Sequence, residues 1–406
     1  MRIRSITCLY HPASAVRLES LQKLAEDAQT RFERAGFALQ TRRLATVPFP
    51  LLLEKLEADA AIALAQRLEA AAQQGGFDFL SLGPALPDLP QSYALVPPML
   101  AATQNVFLSG TMTTPTEGIH LQAVQACANV IAQAAKISAD GFGNLRFSAL
   151  AGVAPFGPFF PSSYSQGEEP AFALALEAAS VAVESFSGAG SVAEGRQRLL
   201  QRLESDTKEL AAIAQQLAQT HGIRFAGIDC SLAPYPEEFI SLGRAIEALG
   251  APQVGQMGSL AAAAILAETL DRGSWPRTGF NGLMMPVLED TTLAKRSAQG
   301  SFNLKDLLLF SAVCGTGLDT VPLPGDATPA QLTAVLLDVA SLAVRLHKPL
   351  TARLMPIPGK KAGESTQFDF DYFANGGILD LPAQPLSGPL AGNETYPIGS
   401  YHSYHP

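Results

Sequence analysis

Strand-like and helix-like segments alternate along almost the whole chain. Residues 3–9 alternate and are rich in β-branched side chains, which predicts a strand. Residues 15–35 then place apolar side chains three and four positions apart, the spacing of one helix face. The same patterns predict further strands at residues 37–44, 77–82, 105–108, 146–153, 223–230, 282–287, 318–323 and 350–355, and further helices at residues 51–72, 117–138, 170–185, 193–220, 236–249, 259–270, 304–313 and 329–347.

This order of elements predicts an α/β fold. Apolar strands separated by helices form a mainly parallel sheet that the helices cover. About nine or ten such units with no strong linker favour a closed β/α barrel, and an open doubly wound sheet is the alternative. We expect residues 1–373 to form a single barrel domain, and the Gly- and Pro-rich residues 374–406 to form an irregular C-terminal tail docked on the barrel.

Composition narrows the class of protein. The chain has 406 residues, of which 47% are hydrophobic and 16% charged, so it can bury a large core and is too apolar to be disordered. A net charge of -9 gives no general attraction for nucleic acid or membrane surfaces, and we expect neither as a partner. With no signal sequence, no membrane-length apolar run and no C-x-x-C motif, a soluble cytoplasmic protein with reduced thiols is expected.

A basic loop near the C-terminus is the most distinctive local feature. Residues 359–363 place Lys360 and Lys361 side by side between two glycines, directly after the predicted strand 350–355. Flexible glycines beside paired ammonium groups let the backbone close around an anion. These lysines are therefore predicted to bind an anionic substrate, and a solvated turn is the alternative.

Carboxylates that follow predicted strands are candidates for chemistry, because parallel strands gather sites at their carboxyl ends. Asp229 lies at the end of one strand and is a candidate acid or base. Glu289 and Asp290 follow another, and Glu289 is a candidate substrate-binding residue. In the structural alternative, Asp229 caps a turn, and Glu289 and Asp290 serve as caps for the helix that follows.

Cys314 and Asp319 flank a Gly-x-Gly bend at residues 315–317. A thiol at a helix C-terminus faces the negative end of the helix dipole, so Cys314 needs a nearby cation to act as a nucleophile. Lys360 and Lys361 could supply that cation, and the alternative is a small buried cysteine at a helix end. Asp319 opens the next strand and is a candidate acid or base.

Two further residues are candidates for ligand binding. Arg353 lies within a predicted strand, where it either pairs with an acidic residue or faces a barrel interior and binds substrate. Tyr164 belongs to an aromatic loop, residues 154–167, which is either a lid or a plug over the barrel end.

The sequence gives only weak evidence for a metal or cofactor site. None of the histidines forms a pair four residues apart on a predicted helix, and His402 and His405 are expected in the tail. An all-oxygen site would require Asp229, Asp319, Glu289 and Asp290 to converge. No nucleotide-binding fingerprint or nucleophile elbow occurs, so the sequence identifies no cofactor.

Four segments together resemble an uncharacterised prokaryotic family, the domain-of-unknown-function family number seven hundred and eleven. They are residues 1–7, 227–234, 314–326 and 348–373. The resemblance implies a ten-stranded β/α barrel like that of the pyruvate formate-lyase-like glycyl radical enzymes. The radical glycine motif of those enzymes is absent, so radical chemistry is not carried over. The family also resembles partners of small ACT-domain proteins.

The leading functional hypothesis is an enzyme, expected to be an oligomer of identical chains, that acts on a small anionic metabolite, phosphorylated or carboxylated. Arg353, Lys360 and Lys361 would bind the anion, while Asp229, Asp319 and Cys314 are candidates for acid, base or nucleophile. The alternative is a non-catalytic metabolite-binding or regulatory protein with the same pocket.

Overall fold

The computed structural model describes residues 1–314 and 316–401. Gly315 of the predicted bend, and the predicted tail histidines His402 and His405, lie outside these residues. The strands are β1 Arg2–Tyr10, β2 Leu39–Thr46, β3 Phe79–Ala85, β4 Val106–Thr111, β5 Thr113–Thr114, β6 Gly118–His120, β7 Phe147–Ala151, β8 Ala171–Glu177, β9 Arg224–Asp229, β10 Gly317–Pro324, β11 Leu350–Ile357 and β12 Thr395–Tyr396.

The helices alternate with these strands for most of the chain. They are α1 Leu18–Arg34, α2 Ala58–Gln74, α3 Ser92–Ala101, α4 Leu121–Ala134, α5 Ala179–Phe186, α6 Val192–His221, α7 Leu242–Ala248, α8 Ser259–Asp271, α9 Thr291–Ala298, α10 Leu304–Cys314 and α11 Pro329–Leu346, with short 3-10 turns at Phe49–Leu52, Phe142–Arg146 and Gly388–Ala391. The apolar stripe predicted for the first helix is confirmed, because Leu21, Leu24, Ala28 and Phe32 of α1 are all buried.

Nine strands form one large sheet in the order β10-β11-β7-β4-β3-β2-β1-β8-β9. Neighbouring strands run parallel except where β11 meets β7 and where β1 meets β8. The predicted α/β class with a mainly parallel sheet is thus confirmed. Buried apolar residues pair across the central strands, as where Cys8 of β1 lies opposite Leu44 of β2.

Residues 276–287 contact both ends of this sheet. A single parallel β-bridge joins Ile228 of β9 to Arg277, and another joins Pro286 to Asp319 of β10. The sequence predicted a regular strand at residues 282–287, but the described structure has only isolated bridges there. Pro286 carries no backbone N–H, so it removes one hydrogen bond from any ladder at this position.

One predicted helix is wrong at its start. Residues 170–185 were expected to be helical, yet Ala171–Glu177 forms β8, which pairs with the length of β1. Only Ala179–Phe186 is helical. The run from Ala171 is apolar and short, and periodicity alone does not separate a strand buried on both faces from a buried helix.

The C-terminal residues pack against the body of the fold. Ile378 is buried in a small apolar cluster with Met355 of β11 and Leu145. Further on, Thr395–Tyr396 pairs with Gly118–His120 in a second, three-stranded sheet. Of the described helices, α11 is long and apolar enough to cross a membrane by length and composition, but in the fold its apolar residues Leu332, Leu336 and Val339 pack into the main core.

Asp290 joins the N-termini of two helices. Its Oδ1 accepts from the backbone N–H groups of Thr292 and Leu293 in α9 at 2.9 and 3.0 Å. Its Oδ2 accepts from those of Leu242 and Gly243 in α7 at 2.6 and 3.1 Å. The side chain is fully buried, so this carboxylate takes up amide groups that two helix ends would otherwise leave unpaired.

Replacing Asp290 with alanine should therefore destabilise the protein by about 2–5 kcal/mol, because buried amides of both helices lose their acceptor. Urea unfolding followed by circular dichroism measures the change. Asp88→Ala is the control, since Asp88 is exposed, and its effect should stay within about 0.5 kcal/mol. Equal effects of the two substitutions would contradict the double-cap interpretation.

Candidate functional site

A pocket lies on the inner face of the large sheet. Its empty volume is ≈ 870 Å³, which includes solvent at its mouth. Every strand of the large sheet except β7 contributes a lining residue. Much of the wall is aromatic and is formed by Phe79, Phe107, Phe159, Phe160, Phe370 and Tyr372. A largely apolar pocket with a few polar groups is the usual form of a small-molecule site.

The first polar feature of the pocket is a carboxylate shared by two arginines. Glu289 Oε2 accepts from Nη2 of Arg4 at 2.6 Å, and its Oε1 accepts from Nη2 of Arg353 at 2.8 Å. The Arg353 and Glu289 side chains are only 5% and 8% exposed. Such a pair costs desolvation energy that its hydrogen bonds must offset, so removing one partner leaves an uncompensated buried charge.

Arg353 is held on several sides. Its Nε donates to Oδ1 of Asp319 at 2.6 Å, while its guanidinium lies 5.7 Å from the ring centre of Phe159. The pairing alternative drawn from the sequence is confirmed, because Arg353 pairs with two carboxylates. Arg353 also lines the pocket, and substrate binding by it stays a prediction. Both carboxylate partners, Asp319 and Glu289, are among the candidates singled out from the sequence.

Asp319 lines the pocket and has one carboxylate oxygen without a hydrogen-bond partner among the described residues. Oδ1 is engaged by Arg353, and within residues 1–314 and 316–401 no group donates a hydrogen bond to Oδ2. Burial raises the pKa of this carboxyl, and the charge of Arg353 opposes that rise. A carboxyl whose pKa is raised by burial holds a proton more readily than an exposed one, which suits an acid or base role.

The backbone next to Asp319 is unusual. Thr320 has φ 38° and lies where the pairing of β10 with β11 shifts between Leu318 and Val321. A positive φ is a genuine outlier for a β-branched residue, because its side chain crowds the backbone. Strained residues of this kind concentrate at functional sites.

Arg43 of β2 is a pocket residue that was not identified from the sequence. Its Nε donates to Oγ1 of Thr41 at 3.0 Å, and that hydroxyl donates to the carbonyl of Arg4 at 2.7 Å. The guanidinium lies 5.8 and 5.2 Å from the ring centres of Phe79 and Phe160. Burial lowers the pKa of Arg43 to about 9, so the side chain remains charged at neutral pH.

Unlike the other two arginines of the pocket, Arg43 has no carboxylate partner among the described residues. Its two terminal nitrogens, Nη1 and Nη2, have no hydrogen-bond acceptor in that part of the chain either. The sequence contained only a weak signal, since the polar residues Thr41 and Arg43 are two positions apart on β2 and therefore share one face of the sheet. Arg42 beside it made the pair look like ordinary surface charge.

Asp229 also lines the pocket, but its oxygens are engaged. Oδ1 accepts from the hydroxyl of Ser231 at 2.5 Å and from the backbone N–H of Asn281 at 3.0 Å, and Oδ2 accepts from the N–H of Phe280 at 2.9 Å. Burial raises the pKa of Asp229, and these hydrogen bonds oppose the rise. The carboxylate therefore holds the turn at residues 279–282 against the end of β9.

Three predicted site residues lie outside the pocket lining. Lys360 and Lys361 follow β11 in a surface loop, in which the carbonyl of Lys360 accepts from Gly325 and the N–H of Lys361 is bonded by Glu364. Tyr164 donates its hydroxyl to the carbonyl of Val153 at 2.8 Å within the aromatic loop. That loop contributes Phe159 and the buried Phe160 to the pocket lining. Its aromatic side chains are therefore packed against the sheet, as in a plug, and do not form a separate lid.

Cys314 also lies away from the pocket, at the end of α10. It is buried, and its Sγ is 3.8 Å from Oγ1 of Thr316. The cation close to it is Lys348, whose Nζ donates to the carbonyl of Ala312 at 2.8 Å and whose pKa is lowered by burial. Lys360 lies beyond the opposite end of the same strand, β11.

In the part of the chain that the structure describes, no group of three or more His, Cys, Asp or Glu side chains is arranged to hold a metal ion. The all-oxygen site considered from the sequence fails to form there, because Asp290 is directed at two helix ends and Glu289 at two arginines.

The fold and the pocket define an α/β protein with an internal pocket lined by aromatic rings, arginines and carboxylates. The chain belongs to the family described as Uncharacterised ACR (DUF711), whose model matches residues 6–373, and the predicted family is confirmed. It is 30% identical to the UPF0210 protein of Desulforudis audaxviator over 82% of this chain and 77% of that protein. It is also 30% identical to the UPF0210 protein of Pyrobaculum islandicum, over 86% and 80% of the two chains.

Glu289→Gln should lower stability by about 3–5 kcal/mol, because it removes the shared negative charge from two pocket arginines. Glu237→Gln is the matched control, since the Glu237 side chain is 56% exposed and pairs with Arg2 at 3.4 Å. A surface pair of this kind contributes about 1 kcal/mol or less. Chemical unfolding of both variants tests the difference, and a small, similar loss in both would refute a central role for Glu289.

Proposed function

We propose that the pocket binds a small anionic metabolite through Arg43 and that the protein is an enzyme acting on it. The observation that carries this proposal is the state of the three pocket arginines. Arg4 and Arg353 are neutralised by Glu289 and Asp319, whereas Arg43 is charged and has no carboxylate partner in residues 1–314 and 316–401. A half-buried cation between aromatic rings is poorly solvated when it has no counter-ion, and an anionic ligand would offset that cost.

We also propose that the sheet closes into a ten-stranded barrel, with residues 276–287 as the tenth strand. Their parallel bridges to Ile228 of β9 and to Asp319 of β10 support closure. The pocket is independent support for closure. Strands at both ends of the sheet and strands in its middle all contribute residues to the same pocket. In a barrel of this size the interior is available for a ligand.

Asp319 is the proposed acid or base. It lines the pocket, its Oδ2 has no hydrogen-bond donor among the described residues, and burial raises its pKa. Asp229 is less suited, because three hydrogen bonds engage its oxygens. The second candidate function is ligand binding without turnover. It is favoured because few of the described polar side chains of the pocket lack a hydrogen-bond or ion-pair partner and are free to take part in a reaction.

Two different sets of residues are candidates for binding the anion. The sequence-based hypothesis assigns it to Lys360 and Lys361, whereas the contacts favour Arg43. Arg43→Gln should abolish ligand binding, Arg43→Lys should weaken it because an ammonium lacks the planar fork of arginine, and Lys360→Ala with Lys361→Ala should leave it unchanged. Arg42→Gln is the control, because Arg42 is the adjacent cation on β2 and lies outside the pocket lining.

Thermal unfolding of these variants with a panel of small carboxylates and phosphates measures the outcome, since a ligand that binds only the native state must raise its midpoint. If the ligand no longer raised the midpoint of the double lysine variant but still raised that of Arg43→Gln, the anion site would instead be the loop at residues 359–363. Incubation of a stabilising ligand with wild type and Asp319→Asn, followed by NMR, then tests turnover. An unaltered ligand in the wild-type sample would favour the binding-protein alternative.

A further inference from the structure

The charges around the pocket limit the charge of the ligand. Among the described residues that line the pocket, Arg43 is the one cation without a carboxylate partner, and Glu289 is close enough to act on the charge of Arg43. Asp319 and Asp229 add two more acidic groups to the same lining. A ligand with two or more negative charges would gain one uncommitted cation and meet three carboxyl groups, so a singly charged anion fits this lining better.

The shape of the cation favours a carboxylate over a phosphate. Thr41 fixes Nε of Arg43 and leaves Nη1 and Nη2 as a planar pair of donors, which matches the two oxygens of a carboxylate. Phosphate sites commonly add a helix N-terminus, a glycine loop or a lysine. The described lining residues of this pocket include neither glycine nor lysine.

The remaining walls specify the body of the ligand. The rings of Phe79 and Phe160 lie against the guanidinium and Phe107 packs on both rings, so the body of the ligand should be mainly apolar. Oδ2 of Asp319 is a hydrogen-bond acceptor for which the described chain supplies no donor. A buried acceptor of this kind is satisfied by a hydroxyl or ammonium group on the ligand.

We infer that the ligand is a small monocarboxylic acid with an apolar body and one hydrogen-bond donor, such as a hydroxy or amino acid. Arg43 binds its carboxylate, the aromatic wall packs on its body, and Asp319 accepts its donor. This inference rests on the proposed function, because it names the substrate class for the same pocket.

The test compares matched acids on wild-type protein by thermal shift and calorimetry. The acids are phenylacetate and isovalerate, their 2-hydroxy forms mandelate and 2-hydroxyisovalerate, and the dianions phenylmalonate and phenyl phosphate. The hydroxy acids should bind about tenfold or more tightly than the parent acids, since a hydrogen bond to a charged acceptor is of that strength. The dianions should bind more weakly than the matched monoanions.

Variants assign each contact. Arg43→Gln should remove binding of every acid, Arg42→Gln should change nothing, and Asp319→Asn should reduce the preference for the hydroxy acids while retaining the parent acids. Circular dichroism of each variant checks that it is folded. If phenyl phosphate or phenylmalonate bound more tightly than the matched monocarboxylic acids, and this binding were lost in Arg43→Gln, the monocarboxylate inference would be overturned. The proposed function would still stand. A response to none of these anions by folded wild type would count against both.

Discussion

The rest of the structure depends on one buried carboxylate, Glu289, which two arginines share. Arg4 belongs to β1 and Arg353 to β11, and these strands are separated in the sheet order by β7, β4, β3 and β2. A single side chain that contacts both strands requires the sheet to curl until its distant parts face each other. Burial of these charges is tolerable only when each has its partners, so the network also specifies one geometry. Asp290, the next residue, fixes the backbone there by capping α7 and α9.

Much of the architecture could be predicted from the sequence, because apolar strands and amphipathic helices carry distinct periodicities. The failures have physical causes. β8 is short and apolar on both faces, and α3 contains Pro97 and Pro98, which normally argue against a helix. In the site, Arg353, Asp319 and Glu289 were identifiable as charges within or after buried strands. Arg43 was not, because only the fold shows that its terminal nitrogens lack a partner.

The pocket combines a rigid polar floor with an adaptable apolar wall. The orientation of Arg43 is set by Thr41, which is itself bonded to the backbone of Arg4, so the cation is held in place before any ligand arrives. Preorganisation of this kind increases affinity because little side-chain freedom remains to be lost. The aromatic wall comes partly from loops, at residues 154–167 and 368–373, which tolerate changes in shape better than strands do.

The position of the pocket arginines along the chain also affects how the protein is made. Arg4 and Arg43 leave the ribosome early, whereas Arg353 lies near the end of the chain. Until β11 has emerged, Glu289 lacks one of its two cations, and the first four strands lack the partners that complete the inner face. Contacts between such distant residues form slowly, because the chain must close a long loop before they contribute. The nascent protein must therefore keep its apolar strands from aggregating until β11 has emerged.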